Sequence, residues 1–333
     1  MRLAVWYMSV VSVCLVVLTG MAQASELTVY SGRGETFVKP IIDQFQRDTG
    51  VKVNVRYGDT AQLAVLIQEE GERSPADLFW GQDAGAMGAL ADAGLLSTLP
   101  QEVYAGLPEI YTSTTGQWVA TSGRARVVAY SKERVTPDQL PASVFDLTRP
   151  EYRGRLAIPP TNGSFQAFVT AMRVLHGNER TLEWLQGIKA NEPKAFRNNS
   201  TAIAGIADGE ADFALVNNYY LPRFQATDSE YPVEQAFFAD GDVGNLVNVA
   251  GIAVIRSSKQ QDAAQQLIRF LLSAAAQQYF TTVVNEYAVT PNVISNPNLT
   301  DTSVVLQAAP TINLDQLADL QGTLDLLRQA ELL

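Results

Sequence analysis

Before residue 95 the chain alternates three times between a short apolar run and an amphipathic helix, and that order leaves few folds open. Leu27–Tyr30 reads as a strand, followed by a glycine-rich turn at Ser31–Glu35. The helix over Thr36–Asp48 carries Phe37, Val38, Ile41, Ile42 and Phe45 at helical spacing. Val51–Tyr57 alternates as a second strand, and Asp59-Thr60 caps a helix through Glu70. Ala76–Trp80 is a third strand closed by Gly81-Gln82-Asp83, and Ala84–Ala93 a third helix ended by Gly94. Strands joined in this way run parallel, with helices on both faces of the sheet. The class is α/β.

The chain then builds a second unit. Gln117–Tyr130 is long and β-rich, as a strand crossing from one lobe to another would be. A strand at Leu156–Ile158 leads through Pro159–Ser164 into a helix from Phe165, with further helices at Thr181–Ala190 and Thr201–Gly209. Leu246–Ile255 reads as a return crossing, and the tail as helices at Asp262–Leu272, Ala274–Phe280 and Leu314–Leu333. With 333 residues, 47% of them hydrophobic, two lobes are expected over one. Each is a mostly parallel sheet flanked by helices, and two hinge strands join them into a clamshell. The expected division is 25–125 plus 250–300 for the first lobe and 126–249 plus 301–333 for the second.

Met1–Ala24 has the form of a cleavable signal peptide, with Arg2 ahead of an apolar run over Leu3–Leu18 and a small-x-small site at Ala22-Gln23-Ala24. The mature chain is expected to begin at about Ser25, in a Gram-negative periplasm. Cys14, the single cysteine, lies inside that peptide, so disulfides and cysteine chemistry are excluded from the mature protein. Without Arg2, 23 basic residues face 35 acidic ones, a formal charge of −12, which argues against nucleic acid or an anionic membrane as partner. His176 is the single histidine, so triad catalysis has nothing to work with. A carboxylate-based hydrolase has no supporting motif, and Ser31–Glu35 lacks the third glycine of a dinucleotide fingerprint. The chain is not expected to be an enzyme.

The most informative stretch is Ala211–Tyr220, an apolar strand ending in Asn217, Asn218, Tyr219 and Tyr220. On a continuous strand the two rings would face opposite ways. If the strand stops near Val216, both converge at its carboxyl end, where open α/β sheets hold ligands. Two converging phenol oxygens form a hard anionic pair suited to a trivalent metal, whereas the ordinary fate of adjacent tyrosines is a half-buried aromatic surface.

Several segments resemble the periplasmic ferric-ion-binding proteins of bacterial iron ABC transporters, over essentially the whole mature chain. They are Thr28–Gly32, Arg73–Phe79, Trp118–Val128, Pro160–Phe165 and Leu215–Tyr220. The resemblance implies a type II periplasmic binding protein that hinges about its cleft, works as a monomer and delivers its cargo to an inner-membrane ABC permease. It implies ferric iron (Fe3+) bound by Tyr219 and Tyr220 with a synergistic anion, phosphate or carbonate, held by Asn162, Gly163, Ser164, Asn199 and Asn217. A turn opening a helix is physically suited to a small anion. The family's histidine and glutamate from the first lobe correspond here to Gly34 and Gln82, and the extra tyrosine that some relatives carry near Gly123 is missing. Gln82, Asp83 and Arg33 are therefore the weaker candidates, the first two for metal and Arg33 for the anion. A site for another oxyanion, a polyamine or a ferric chelate on the same fold is the rival reading.

Overall fold

The computed structural model describes residues 26–333, so the proposed signal peptide and its cleavage site lie outside the described residues. In chain order the elements are β1 (Glu26–Ser31), α1 (Glu35–Thr49), β2 (Lys52–Tyr57), α2 (Thr60–Glu70), β3 (Leu78–Gly81), α3 (Ala84–Asp92), α4 (Gln101–Tyr104) and β4 (Val119–Ser131). There follow β5 (Leu156–Ile158), α5 (Gly163–Ala190), β6 (Lys194–Ala195), α6 (Asn199–Ala207), β7 (Phe213–Asn217), α7 (Leu221–Gln225), β8 (Val233–Ala236) and β9 (Val247–Val254). The tail contributes α8 (Gln261–Leu271), α9 (Ala274–Tyr279), α10 (Thr302–Ala308) and α11 (Leu320–Gln329).

Local chemistry explains most boundaries. α1 buries Val38, Ile41, Ile42 and Phe45 along one stripe and ends at Gly50, whose φ of 72° a side chain would resist. Asp59 caps α2 by accepting hydrogen bonds from the amides of Ala61 and Gln62. Gly177, at φ 82° and ψ 163°, breaks α5 into the two helices that the sequence leads one to expect there. The single amphipathic tail helix expected at Leu314–Leu333 is instead a 3-10 turn at Leu314–Ala318 followed by α11, because Asp319 stops the first and caps the second. β6, β8, α7 and α10 are too short to leave a periodic signal in the sequence.

The sheet order is β2-β1-β3-β9-β4-β7-β5-β6, with β8 also on β4. Within each lobe strands pair in parallel, β1 with β2 and β3 as expected, and β5 with β7 and with the short, unexpected β6. The crossing strands are antiparallel to each other and to β3, β7 and β8. β4 pairs with β9 from Val119 to Ala125 and with β7 from Arg126 to Tyr130, so one strand belongs to both lobes. Both crossings are almost entirely buried, and large side chains pack against the sheet in a core that continues from one lobe into the other, with further apolar groups under each. The indole N–H groups of buried Trp80, Trp118 and Trp184 all find acceptors, at Thr121, Asp315 and the Val144 carbonyl. Among the described residues no helix is long and apolar enough to cross a membrane.

Candidate functional site

β7 ends at Asn217, and Asn218 explains how the chain leaves the sheet. Its N–H donates to the Ala125 carbonyl on β4, and its side-chain oxygen accepts from the Ala125 N–H, both at 2.9 Å. A side chain thus completes the ladder that the backbone abandons, and the chain is free to turn. Tyr219 and Tyr220 sit on that turn with rings stacked at 4.3 Å between centroids. The Tyr219 hydroxyl donates to the Tyr220 oxygen at 3.0 Å. Tyr219 is buried and Tyr220 half-buried. Burial, followed by the neighbouring Tyr219, raises the Tyr220 phenol well above its ordinary value, so without a cation it keeps its proton at neutral pH.

Four guanidinium groups surround the pair. Arg124 and Arg126 project from one face of β4, as alternation requires. Arg124 donates to the Gln82 carbonyl. Arg126 donates to the Leu215 carbonyl at 2.7 Å and lies over the Phe168 ring, and burial together with the charge of Arg124 pulls its pKa down to about 9. Arg33, in the loop after β1, is held at 2.8 Å through both terminal nitrogens by Glu286, a pair only 3% and 1% exposed. Glu286 also accepts from the Ser122 hydroxyl. Burial lowers the Arg33 pKa, but the adjacent Glu286 outweighs it and the net shift is upward, so Arg33 stays charged. Arg223, in α7, lies 5.0 Å and 5.2 Å from the two tyrosine ring centres.

The anion candidates come together as well. Asn162 caps α5, its side-chain oxygen accepting from the Ser164 amide at 3.1 Å, the Ser164 hydroxyl at 2.6 Å and the Asn199 side-chain amide at 3.3 Å. Fully buried Asn199 in turn accepts from the Asn217 N–H at 3.1 Å. Arg126 closes the circuit, donating to the Ser164 carbonyl at 3.3 Å. Gly163 stands exposed at the helix start, and a Cβ there would meet open space. Arg33 Nε, Arg124 Nε and Nη1, Asn217 Nδ2 and Asn218 Nδ2 are buried without a hydrogen-bond partner among the described residues. Leaving such donors unmade costs about 1–3 kcal/mol each. All five are donors, so what they lack is an acceptor.

The first lobe offers little to a metal. Gly34 begins α1, and Glu35 beside it is exposed. Asp83 caps α3 by accepting from the Ala86 amide at 3.1 Å, with its pKa raised by burial and pulled back by Arg124. The Gln82 amide donates to Thr60, and its side chain is half-buried. Tyr30 belongs to the core and donates to Glu70. His176 meets the Phe145 ring edge-on, 5.0 Å between centroids, where burial and then Arg180 lower its pKa. Among the described residues no three His, Cys, Asp or Glu side chains are grouped so as to hold a metal ion. A cavity of about 390 Å³, lined by Tyr111, Tyr287, Val289 and Leu306 among others, includes none of the candidate residues.

Arg124, Arg126, Arg223 and Glu286 escape the sequence reading. The two β4 arginines leave a signal, since charges two apart in an otherwise apolar strand share one face. Glu286 leaves none, standing 253 positions from its partner in the chain.

Residues 30–278 match the bacterial extracellular solute-binding protein family. The chain is 34% identical over 313 residues to the major ferric iron-binding protein of Neisseria meningitidis serogroup B, covering 92% of this chain and 93% of that one. Iron-bound HitA from Pseudomonas aeruginosa superposes with a TM-score of 0.86 at 34% identity, over 92% of this chain and 99% of that one. The Trichodesmium protein IdiA (FutA), in complex with iron and citrate ligands, superposes with a TM-score of 0.80 at 26% identity and the same coverage. These relatives are binding proteins of iron transport, not enzymes. With its type II periplasmic binding protein fold, the chain belongs to the bacterial extracellular solute-binding proteins, and within them to the ferric iron-binding group.

Proposed function

We propose that this protein binds ferric iron in its cleft through Tyr219 and Tyr220 as phenolates, together with a small anion, and carries it through the periplasm to an inner-membrane ABC permease. The observation that carries the reading is the 3.0 Å separation of two phenol oxygens on one turn. Adjacent oxygens on an octahedral hard cation with bonds of about 2.0–2.1 Å stand about 2.9 Å apart. The pair is already spaced as two neighbouring ligands. A bound Fe3+ strips the protons that phenols otherwise keep at neutral pH.

The anion follows from charge. Arg33, Arg124, Arg126 and Arg223 stand against the carboxylates of Glu286 and Asp83, an excess of two positive charges before iron arrives. Two phenolates cancel two of the three charges of Fe3+, so the filled cleft needs further negative charge. Asn162, Gly163, Ser164, Asn199 and Asn217 form the proposed seat, and the buried donors of Arg33 and Arg124 also lack an acceptor. Phosphate and carbonate fit this description. The excess of cations and the iron-and-citrate complex of the Trichodesmium relative also favour a second reading, in which iron enters already chelated by a polycarboxylate.

The test is optical. Ferric iron added with phosphate, carbonate or citrate gives a coloured phenolate-to-metal charge-transfer complex, and Tyr219→Phe or Tyr220→Phe abolishes the band. A wild-type protein that stays colourless with all three anions refutes the reading. The anion that gives the slowest iron loss identifies the natural partner.

A further inference from the structure

Arg223 does something that the other three arginines do not. Arg33 is bound by Glu286 within its own lobe, and Arg124 and Arg126 donate to backbone carbonyls beside β4. Arg223 has no carboxylate within ion-pair distance among the described residues. Its guanidinium is instead shared among aromatic faces. Two are Tyr219 and Tyr220, at 5.0 Å and 5.2 Å in its own lobe. The third is Phe37 of α1, at 4.5 Å, which belongs to the lobe of β1–β3. Its Nη2 also donates to the Val284 carbonyl at 3.4 Å, and Val284 packs in the core of that same lobe.

We propose that Arg223 is the positioning residue that latches the two lobes together. The inference rests on the ferric reading for its assay, and its geometry stands without it. A cation over an aromatic face is held by the electron density of the ring. The Arg223 guanidinium lies over the rings of both tyrosines in its own lobe and over Phe37 in the other. One cation therefore joins the tyrosine turn to the opposite lobe, and contacts that differ between the open and closed forms are what favour closure. Val284 adds a directional anchor, so Arg223 touches the far lobe at two points.

The experiment compares wild type, Arg223→Gln, Arg223→Lys, Phe37→Leu and the Arg223→Gln/Phe37→Leu double variant, all loaded with ferric iron and phosphate. Iron removal by excess EDTA is followed at the charge-transfer band. Loss of a cation–π contact of this kind speeds release by roughly twofold to thirtyfold. Arg223→Gln is expected to fall in that range with the band retained, because the metal's own ligands are intact. Phe37→Leu acts in the same direction, the double variant releases no faster than Arg223→Gln alone, and Arg223→Lys recovers part of the wild-type rate. Unchanged release in Arg223→Gln, a lost band, or effects of the two single variants that multiply would each overturn the latch. Small-angle scattering separates this from failure of the ferric reading. A colourless wild type whose Arg223→Gln variant still has the larger radius of gyration rejects iron as cargo and retains the latch. A coloured wild type with equal release rates rejects the latch and retains iron.

Discussion

Glu286→Gln is the perturbation that most directly tests how the cleft is held together. Glu286 binds both terminal nitrogens of Arg33 at 2.8 Å in a pair almost closed to solvent, and takes the Ser122 hydroxyl as well. Glutamine keeps the shape but removes the charge and, whichever way its amide sits, turns an N–H group toward an Arg33 donor, so donors face donors. Removing one partner of a buried ion pair costs about 3–5 kcal/mol, chiefly because the other charge is left alone. With Arg124 and Arg126 nearby, nothing offsets the Arg33 cation. A chain of this size loses near 2 °C in Tm per kcal/mol, so the metal-free variant should melt roughly 6–10 °C below wild type. Burial pushes the Glu286 carboxyl up, but Arg33 foremost, with Arg124 and Ser122, holds it below its ordinary 4.5. A carboxyl lowered in the fold contributes stability that is complete above its unfolded pKa and disappears as pH falls through the folded one. The gap between the two melting curves should therefore be flat over about pH 6 to 8 and close in acid. The assay is thermal melting by circular dichroism in phosphate-free buffer. A gap under about 2 °C at neutral pH, or one that widens in acid, would refute the view of Arg33–Glu286 as one buried ionic unit.

Three further outcomes follow from the same geometry. Because phenols ordinarily ionise at about pH 10, each Fe3+ bound by two of them should release two protons, and affinity measured against a carboxylate chelator should rise about a hundredfold per pH unit near neutrality; a tenfold slope would leave only one tyrosine as ligand. Asp83→Ala should cost about 1 kcal/mol as a lost helix cap while the charge-transfer band is unchanged, and a loss of colour would return Asp83 to the metal. Asn199→Ala removes the amide joining Asn162, Ser164 and Asn217, so it should speed iron loss in phosphate while the phenolate band persists; an unaltered rate would move the anion elsewhere.

What the chain discloses in advance depends on how local each feature is. The β-α-β order of the first lobe is written in adjacent residues, each helix with its own stripe and cap. The tyrosine turn and the Asn162–Ser164 helix start are also continuous stretches, and so they could be singled out. Arg126 is different, because its significance comes from burial beside Leu215 and Phe168, which only the folded sheet supplies. Arg223 looks like any helix cation until α1 is brought against it. Glu286 follows a π-helical turn in the tail and meets Arg33 only through the tertiary fold. The sequence also suggests a single tail helix, because the apolar period continues across Asp319 while the backbone does not.

That interrupted tail has a mechanical consequence. The 3-10 turn at Leu314–Ala318 lies on α3, close enough that a Cβ on Gly85 would stand 2.5 Å from the Leu317 carbonyl oxygen. Asp315 there accepts from the Trp118 indole at 2.7 Å and from the Thr114 hydroxyl at 2.7 Å. Five residues on, α11 packs along α5, joined to it by the Thr170–Thr323 and Arg173–Asp319 bonds. Besides the two strands through the middle, the tail therefore forms a strap on the outside that ties α3 of one lobe to α5 of the other. Two tethers alone would permit bending, twisting and shear. A strap off their axis restricts some of those freedoms.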